Sequence, residues 1–504
     1  MVDFLSNFGL GLSVALTPAN LMFALLGCLG GTLVGVLPGI APIATVSMLL
    51  PLTFYLEPTS GLIMLAGIFY GAQYGGSTTA ILVNLPGESS AVVTCLDGHQ
   101  MAQRGRAGAA LAIAALGSLF AGCVATFLIA FFAPPLANVA QSFGAPEYFS
   151  LMMFGLFSAV ILAYGSVIKA IAMVFLGLLL GMVGVDPNTG SWRYTFGFTQ
   201  LADGIDLMPL AIGLFGLTEV IANLVRGDSS RVMIDQKKLS LWPTRQEIRE
   251  AVPASIRGTA LGSFLGLLPG GGATLSSFAA YVLEKKISAT PERFGHGAVA
   301  GLAAPESANN AGAQTSFVPM LTLGIPGNAV MAVMIGAMTM HGIQPGPQVM
   351  TERPELFWGL IASMLVGNIM LVFLNLPLIG LWVKLLRVPY RFLYLAILLF
   401  CAIGVYTVNN STFDVMLTAL FGAVGYALYR LRCEPAPLLL GFVLGPMMEE
   451  NFRRAMLISS GDPMIFVTRP ISLTLVILTG ILFLMLVLPN ISRTRAVAFQ
   501  KGEL

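Results

Sequence analysis

The sequence predicts an all-α polytopic membrane protein built from two homologous, inverted repeats with broken helices or re-entrant hairpins, plus scaffold helices. Three observations carry this: a composition too apolar for a solvated surface, apolar runs of bilayer-spanning length, and a glycine–proline pattern that occurs twice in the same order.

Of 504 residues, 56% are hydrophobic and 10% charged. Soluble domains carry about 25% charged residues, so several solvated domains cannot be covered by the charges present. The apolar runs at 107–132, 148–164, 166–185, 207–225, 357–383, 392–408, 412–429 and 470–489 instead approach the ~20 residues of a membrane-spanning helix. Fifty-six glycines and 29 prolines fit membrane helices, where close packing and internal cavities satisfy the freed backbone groups. The near-neutral net charge gives no sign of nucleic acid as a partner. The five cysteines have no metal-ligand spacing and are read as packing residues.

Residues 1–103 contain no Lys or Arg, so no cleavable signal peptide is expected. Basic residues concentrate in 226–249 and at 493–501, which the positive-inside rule places in the cytoplasm. The expected organisation is a first transport repeat with its scaffold helices (1–225), a basic cytoplasmic linker (226–250), a second repeat core (251–353), and scaffold helices with a C-terminal tail (354–504).

The repeat rests on Gly31-Thr-Leu-Val-Gly-Val-Leu-Pro-Gly39 and Gly262-Ser-Phe-Leu-Gly-Leu-Leu-Pro-Gly270, 231 residues apart. Glycines at 27, 31, 35 and 39 meet glycines at 258, 262, 266 and 270. A second pair, Asn84-Leu-Pro-Gly87 and Gly324-Ile-Pro-Gly327, follows at an offset of 240. The difference fits a charged insert around 284–293.

Proline removes a backbone donor and glycine permits positive φ, so together they end a helix inside the apolar layer. Broken helices of this kind turn half-helix N-termini toward anions and unwound carbonyls toward cations in secondary transporters. The first break of each half (Gly35, Pro38, Gly39; Gly266, Pro269, Gly270), with Glu306, is the expected cation-coupling set. Substrate is expected at Ser77, Thr78, Thr79, Asn84, Pro86, Gly87, Asn309, Asn310, Thr315, Pro326, Gly327 and Asn328, the polar and break residues beside the second motif of each half. A carboxylate at membrane depth is functional by default; Glu306 fits that rule, while Glu88 reads equally as a cap on the helix after Pro86-Gly87. No Lys or Arg occurs in 1–103 or 294–352, so an anion held between the motifs needs helix N-termini, hydroxyls and a co-bound cation.

Enzyme chemistry finds no support. Gly266–Ser276 lacks the Lys of a phosphate-binding loop, the three histidines are scattered, and there is no nucleophile elbow. No cofactor is expected beyond a coupling cation.

Several longer segments resemble the TctA family, the large subunit of tripartite tricarboxylate transporters. They include Tyr70-Gly-Ala-Gln-Tyr-Gly-Gly-Ser-Thr-Thr79, Asp97-Gly-His99, Gly213-Leu-Phe-Gly-Leu-Thr-Glu219, Ala304-Pro-Glu-Ser-Ala-Asn-Asn-Ala311 and His341-Gly-Ile-Gln-Pro-Gly-Pro347. The resemblance implies a bacterial inner-membrane importer with two partners, a small four-span membrane subunit (TctB-like) and a periplasmic solute-binding protein (TctC-like). It implies secondary, Na⁺-coupled uptake of a di- or tricarboxylate such as citrate. The alternative is a channel or exporter of small organic anions working without a binding protein.

Overall fold

The computed structural model describes residues 2–37, 40–163, 166–186, 188–226, 242–268, 272–385 and 390–487. Pro38, Gly39, Pro269 and Gly270, and 227–241 of the basic stretch, lie outside the described residues.

The chain is helical almost throughout. The longer helices are α1 (Val2–Ala15), α2 (Pro18–Gly35), α3 (Pro42–Leu49), α4 (Pro58–Val83), α5 (Ala107–Ala140), α6 (Ala145–Leu162), α7 (Val167–Gly181) and α8 (Leu207–Val225). After the basic stretch come α9 (Arg245–Gly266), α10 (Gly272–Ile287), α11 (Val299–Thr315), α12 (Phe317–Leu323) and α13 (Ala329–Met340). The last block holds α14 (Pro354–Asn375), α15 (Tyr390–Asn409), α16 (Thr412–Arg430), α17 (Ala436–Ile458) and α18 (Pro470–Val487). Among the described residues five segments are long and apolar enough to cross a membrane: α2, Ala102–Ala140, α8, α14 and α16. Apolar side chains such as Phe131, Phe175, Phe373 and Phe400 point outward, as a lipid-facing surface requires. The chain is a multi-pass membrane protein.

Two helix pairs form the interior. α2 packs along α4, and α9 along α11. Glycine at every fourth position leaves one stripe of bare backbone, and the partner helix comes close enough for its carbonyls to rest there. A Cβ on Gly27, Gly31 or Gly35 would overlap the carbonyl oxygen of Met64, Ile68 or Ala72. In the second pair, a Cβ on Gly258, Gly262 or Gly266 would overlap the carbonyl oxygen of Ala304, Ala308 or Gly312. The glycines differ by 231 and their partners by 240, the two offsets found in the sequence.

The helix ends also correspond. α4 stops at Asn84 in a left-handed conformation (φ 55°), and α12 stops at Gly324 (φ 70°). Leu85–Gly87 and Ile325–Gly327 then run without helix, and the chain restarts after an extended residue, Glu88 (φ −147°) or Asn328 (φ −158°). A left-handed residue ends a helix because it turns the chain out of the i→i−4 ladder.

Other helices brace this interior. α5 packs on α11, and α14 on α1, α2, α4 and α5. α17 joins α6, α7 and α13. At one end, Arg106 pairs with Glu247 (2.5 Å) and Arg257 with Glu284 (2.6 Å). Elsewhere, a two-stranded hairpin, β1 (Gly184–Val185) and β2 (Trp192–Arg193), is clasped to α17 by Asp186–Arg453 (3.1 Å) and Arg193–Glu449 (2.8 Å). The Asn188 N–H and the Arg453 guanidinium hold the Asp186 carboxyl down at about 2.

Candidate functional site

A cavity of about 220 Å³ opens where the helices restart. Its wall takes Ala41–Ile43 from the start of α3, Glu88 and Ser89 from the turn after the second break, Gly272–Leu275 from the start of α10, and Asn328–Val330 from the start of α13. The chain therefore enters this cavity after each of the four breaks. α6 and α17 close it with Ala159, Ala163, Ala436, Pro437 and Leu440.

Each helix start brings unsatisfied N–H groups and the positive end of a helix dipole. Two of these starts already hold a polar partner. The Ala41 N–H donates to Glu219 Oε2 (2.9 Å), so α8 supplies a carboxylate to the head of α3. The Asn328 side chain accepts from the Met331 N–H (3.0 Å) and donates to Ser316 Oγ (3.1 Å).

The polar wall is uneven. Gln73 of α4 reaches the cavity, is 1% exposed, and has no partner for either amide atom. A buried amide without partners is costly, and this one borders the cavity. Glu88 accepts from Ser90 Oγ (2.5 Å) and, more weakly, from Asn309 Nδ2 (3.4 Å), while Asn309 Oδ1 has no partner. Glu434 also lines the wall. Among the described lining residues there is no Lys or Arg.

The expected site residues fall into four groups. Asn328 lines the cavity, and Asn309 reaches it through Glu88. Ser77, Thr78 and Glu306 line a separate, much smaller cavity of about 20 Å³ between α4, α5, α11 and the end of α14. Others serve the helix contacts. Thr79 Oγ1 reaches Val36 O (2.9 Å) just past the end of α2, Thr315 Oγ1 donates to Ala311 O, and Gly35 and Gly266 lie under the partner helix. Asn310 is tied to Ser118 Oγ (2.6 Å) and Glu306 O (3.0 Å). The last group belongs to the breaks. Asn84 is exposed at its helix end, Gly87 lies against Gly76, and Pro86, Pro326 and Gly327 lie within the breaks, outside the cavity lining.

Sequence reasoning missed Glu219, which sits in a quoted motif with nothing to distinguish it, and the backbone of α3 and α10, which carries no side-chain signal. The Asp97-Gly-His99 motif has a positioning role. Asp97 Oδ1 accepts from the N–H groups of Gly295 (3.0 Å), Gly297 (2.7 Å) and Ala298 (2.7 Å), fixing the entry to α11.

Comparisons with known proteins identify the family. The model of the tripartite tricarboxylate transporter TctA family matches residues 21–440. A protein of Agrobacterium vitis described as an uncharacterized 52.8 kDa protein in the TAR-I ttuC' 3' region is 56% identical over 503 residues, spanning 100% of both chains. A second, an uncharacterized protein in the TAR-II ttuC' 3' region of Agrobacterium vitis, is 58% identical over 242 residues, which is 48% of this chain and 100% of that protein. No solved structure matches.

Proposed function

This chain belongs to the tripartite tricarboxylate transporter TctA family, and from that premise we propose that it is the large membrane subunit of a secondary importer that carries a di- or tricarboxylate together with a cation. The two helix pairs are the cores of two duplicated repeats, related by a two-fold axis in the membrane plane. A small membrane subunit and a periplasmic binding protein complete the system in the bacterial inner membrane, with the basic stretch 226–250 on the cytoplasmic side.

The observation that carries the reading is the cavity where all four helix restarts meet without a Lys or Arg in the described lining. A carboxylate held there meets dipole ends worth roughly half a positive charge each, the amides of Gln73 and Asn328, and backbone N–H groups. Glu88 and Glu434 line the same wall, so a polyanion needs positive charge brought in with it. That requirement makes the protein a symporter, with Na⁺ as the coupling cation. The first break of each half is the proposed place of the Na⁺ ligands.

The test is uptake of labelled di- and tricarboxylates into vesicles holding this chain, with and without the small subunit, the binding protein and an inward Na⁺ gradient. Uptake should need the binding protein and rise with the gradient. Equal flux in both directions without either would mark a channel or exporter.

A further inference from the structure

The smaller cavity has a chemistry of its own. Glu306 sits there at 1% exposure on α11. Ser77 Oγ lies 2.9 Å from Glu306 Oε2, and Thr94 Oγ1 donates to Glu306 Oε1. Ser77 has one hydroxyl proton but two acceptors in reach, Glu306 Oε2 and Gln73 O (3.2 Å).

Protonating Glu306 gives every oxygen a role. Thr94 donates to Oε1, the acid donates from Oε2 to Ser77, and Ser77 donates to Gln73 O. An ionised Glu306 would instead hold a full charge against neutral hydroxyls, and a buried charge without a counter-ion is strongly disfavoured. The titratable groups near Glu306 are Tyr74 of α4, Glu88 and Cys95. α5 and α14 offer Ser118 and Asn375. Arg257 of α9 and Glu284 of α10 pair with each other. Among the described residues lining the cavity there is no Lys, Arg or His. The space, about 20 Å³, holds roughly one water-sized group. That leaves no room for a hydrated cation.

We propose that Glu306 is a proton-binding site, distinct from the carboxylate cavity, and that loading and unloading this proton is a step of the transport cycle; the second half rests on the transport reading above. The link between the two cavities is Gln73. Its side chain lines the carboxylate cavity, and its backbone carbonyl oxygen is the end acceptor of the Glu306 chain. A substrate that moves Gln73 therefore changes the hydrogen bonds that hold the proton.

Infrared difference spectroscopy on the purified full-length protein in lipid tests the site without requiring transport. At neutral pH the wild type should show the carbonyl band of a protonated carboxylic acid, shifted in D₂O. Glu306→Gln should remove that band, and Ser77→Ala or Thr94→Ala should shift it. Citrate binding measured against pH, over a range where citrate is fully ionised, should change several-fold in the wild type and lose that response in Glu306→Gln. Absence of any band removed by Glu306→Gln overturns the proposal, as does an unaltered band in both hydroxyl variants. If the band behaves as expected but no carboxylate is taken up, the proton site stands and the transport reading falls.

Discussion

The two helix pairs, α2–α4 and α9–α11, share a pattern of glycine packing but not a set of side chains. Their glycine stripes meet carbonyls at matched positions, and both restart after an extended residue. At the cavity they diverge. The first pair places Gln73 and Glu88 where the second has Ala313 and Asn328, 240 residues on. The second carries Glu306 and Asn309 where the first has Ala66 and Phe69. Close helix packing is therefore a demand made on both halves, while the chemistry is divided between them. The first half brings an unpaired amide and a carboxylate to the larger cavity, and the second brings a helix cap there and the proton site to the smaller cavity.

The shared half of the comparison predicts the largest effect. Gly31→Val and Gly262→Val each push a side chain into a backbone carbonyl that cannot rotate away. Overpacking costs about 1–3 kcal/mol where neighbours can adjust, and a carbonyl in a helix adjusts least. Both variants should lose most of the folded protein to a similar extent, measured as the monodisperse fraction after detergent extraction. A well-folded Gly262→Val beside a collapsed Gly31→Val would break the equivalence of the two pairs.

Next comes Asn309, the side chain that links the halves through Glu88. Asn309→Ala should abolish carboxylate uptake while the protein still inserts and purifies normally. Asn310→Ala removes an amide that holds Ser118 and the Glu306 carbonyl, so it should lower thermal stability as well. Normal uptake by Asn309→Ala would return that residue to packing.

The smallest effects sharpen the divided chemistry. Gln73→Ala deletes an amide with no partner, so it should weaken substrate binding about tenfold without destabilising the protein. Asn328→Ala also removes the helix cap at Met331, and losing a cap costs about 1 kcal/mol. Binding isotherms with thermal melts on the same samples separate the two. A destabilised Gln73→Ala would mean that its amide has a structural partner.

How much of this was legible in the sequence follows the same division. Composition and apolar runs gave the membrane class, because lipid leaves few compositions open. The four breaks and both offsets could be read because glycine and proline act through the backbone at their own positions. The side-chain roles were read less well. Thr79 and Thr315 are polar residues beside breaks, as Gln73 is, yet they turn to nearby carbonyls while Gln73 faces the cavity. Helix rotation decides this, and a weakly amphipathic membrane helix gives little sign of it. Glu219 was hidden for another reason: it lies 178 residues from the Ala41 N–H that it meets, and only the fold brings them together.

The central claim is that an anion is held in a cavity whose described lining has no basic residue because a cation arrives with it. Equilibrium binding of a labelled tricarboxylate to the purified protein at varied Na⁺, with ionic strength held by choline, tests this most directly. Two ligands that stabilise each other must do so reciprocally, with a coupling of about 1–3 kcal/mol. Raising Na⁺ should lower the apparent Kd for the carboxylate about 5- to 150-fold, and the carboxylate should lower that for Na⁺ by the same factor. A carboxylate affinity that stays constant from zero to saturating Na⁺ would contradict the account.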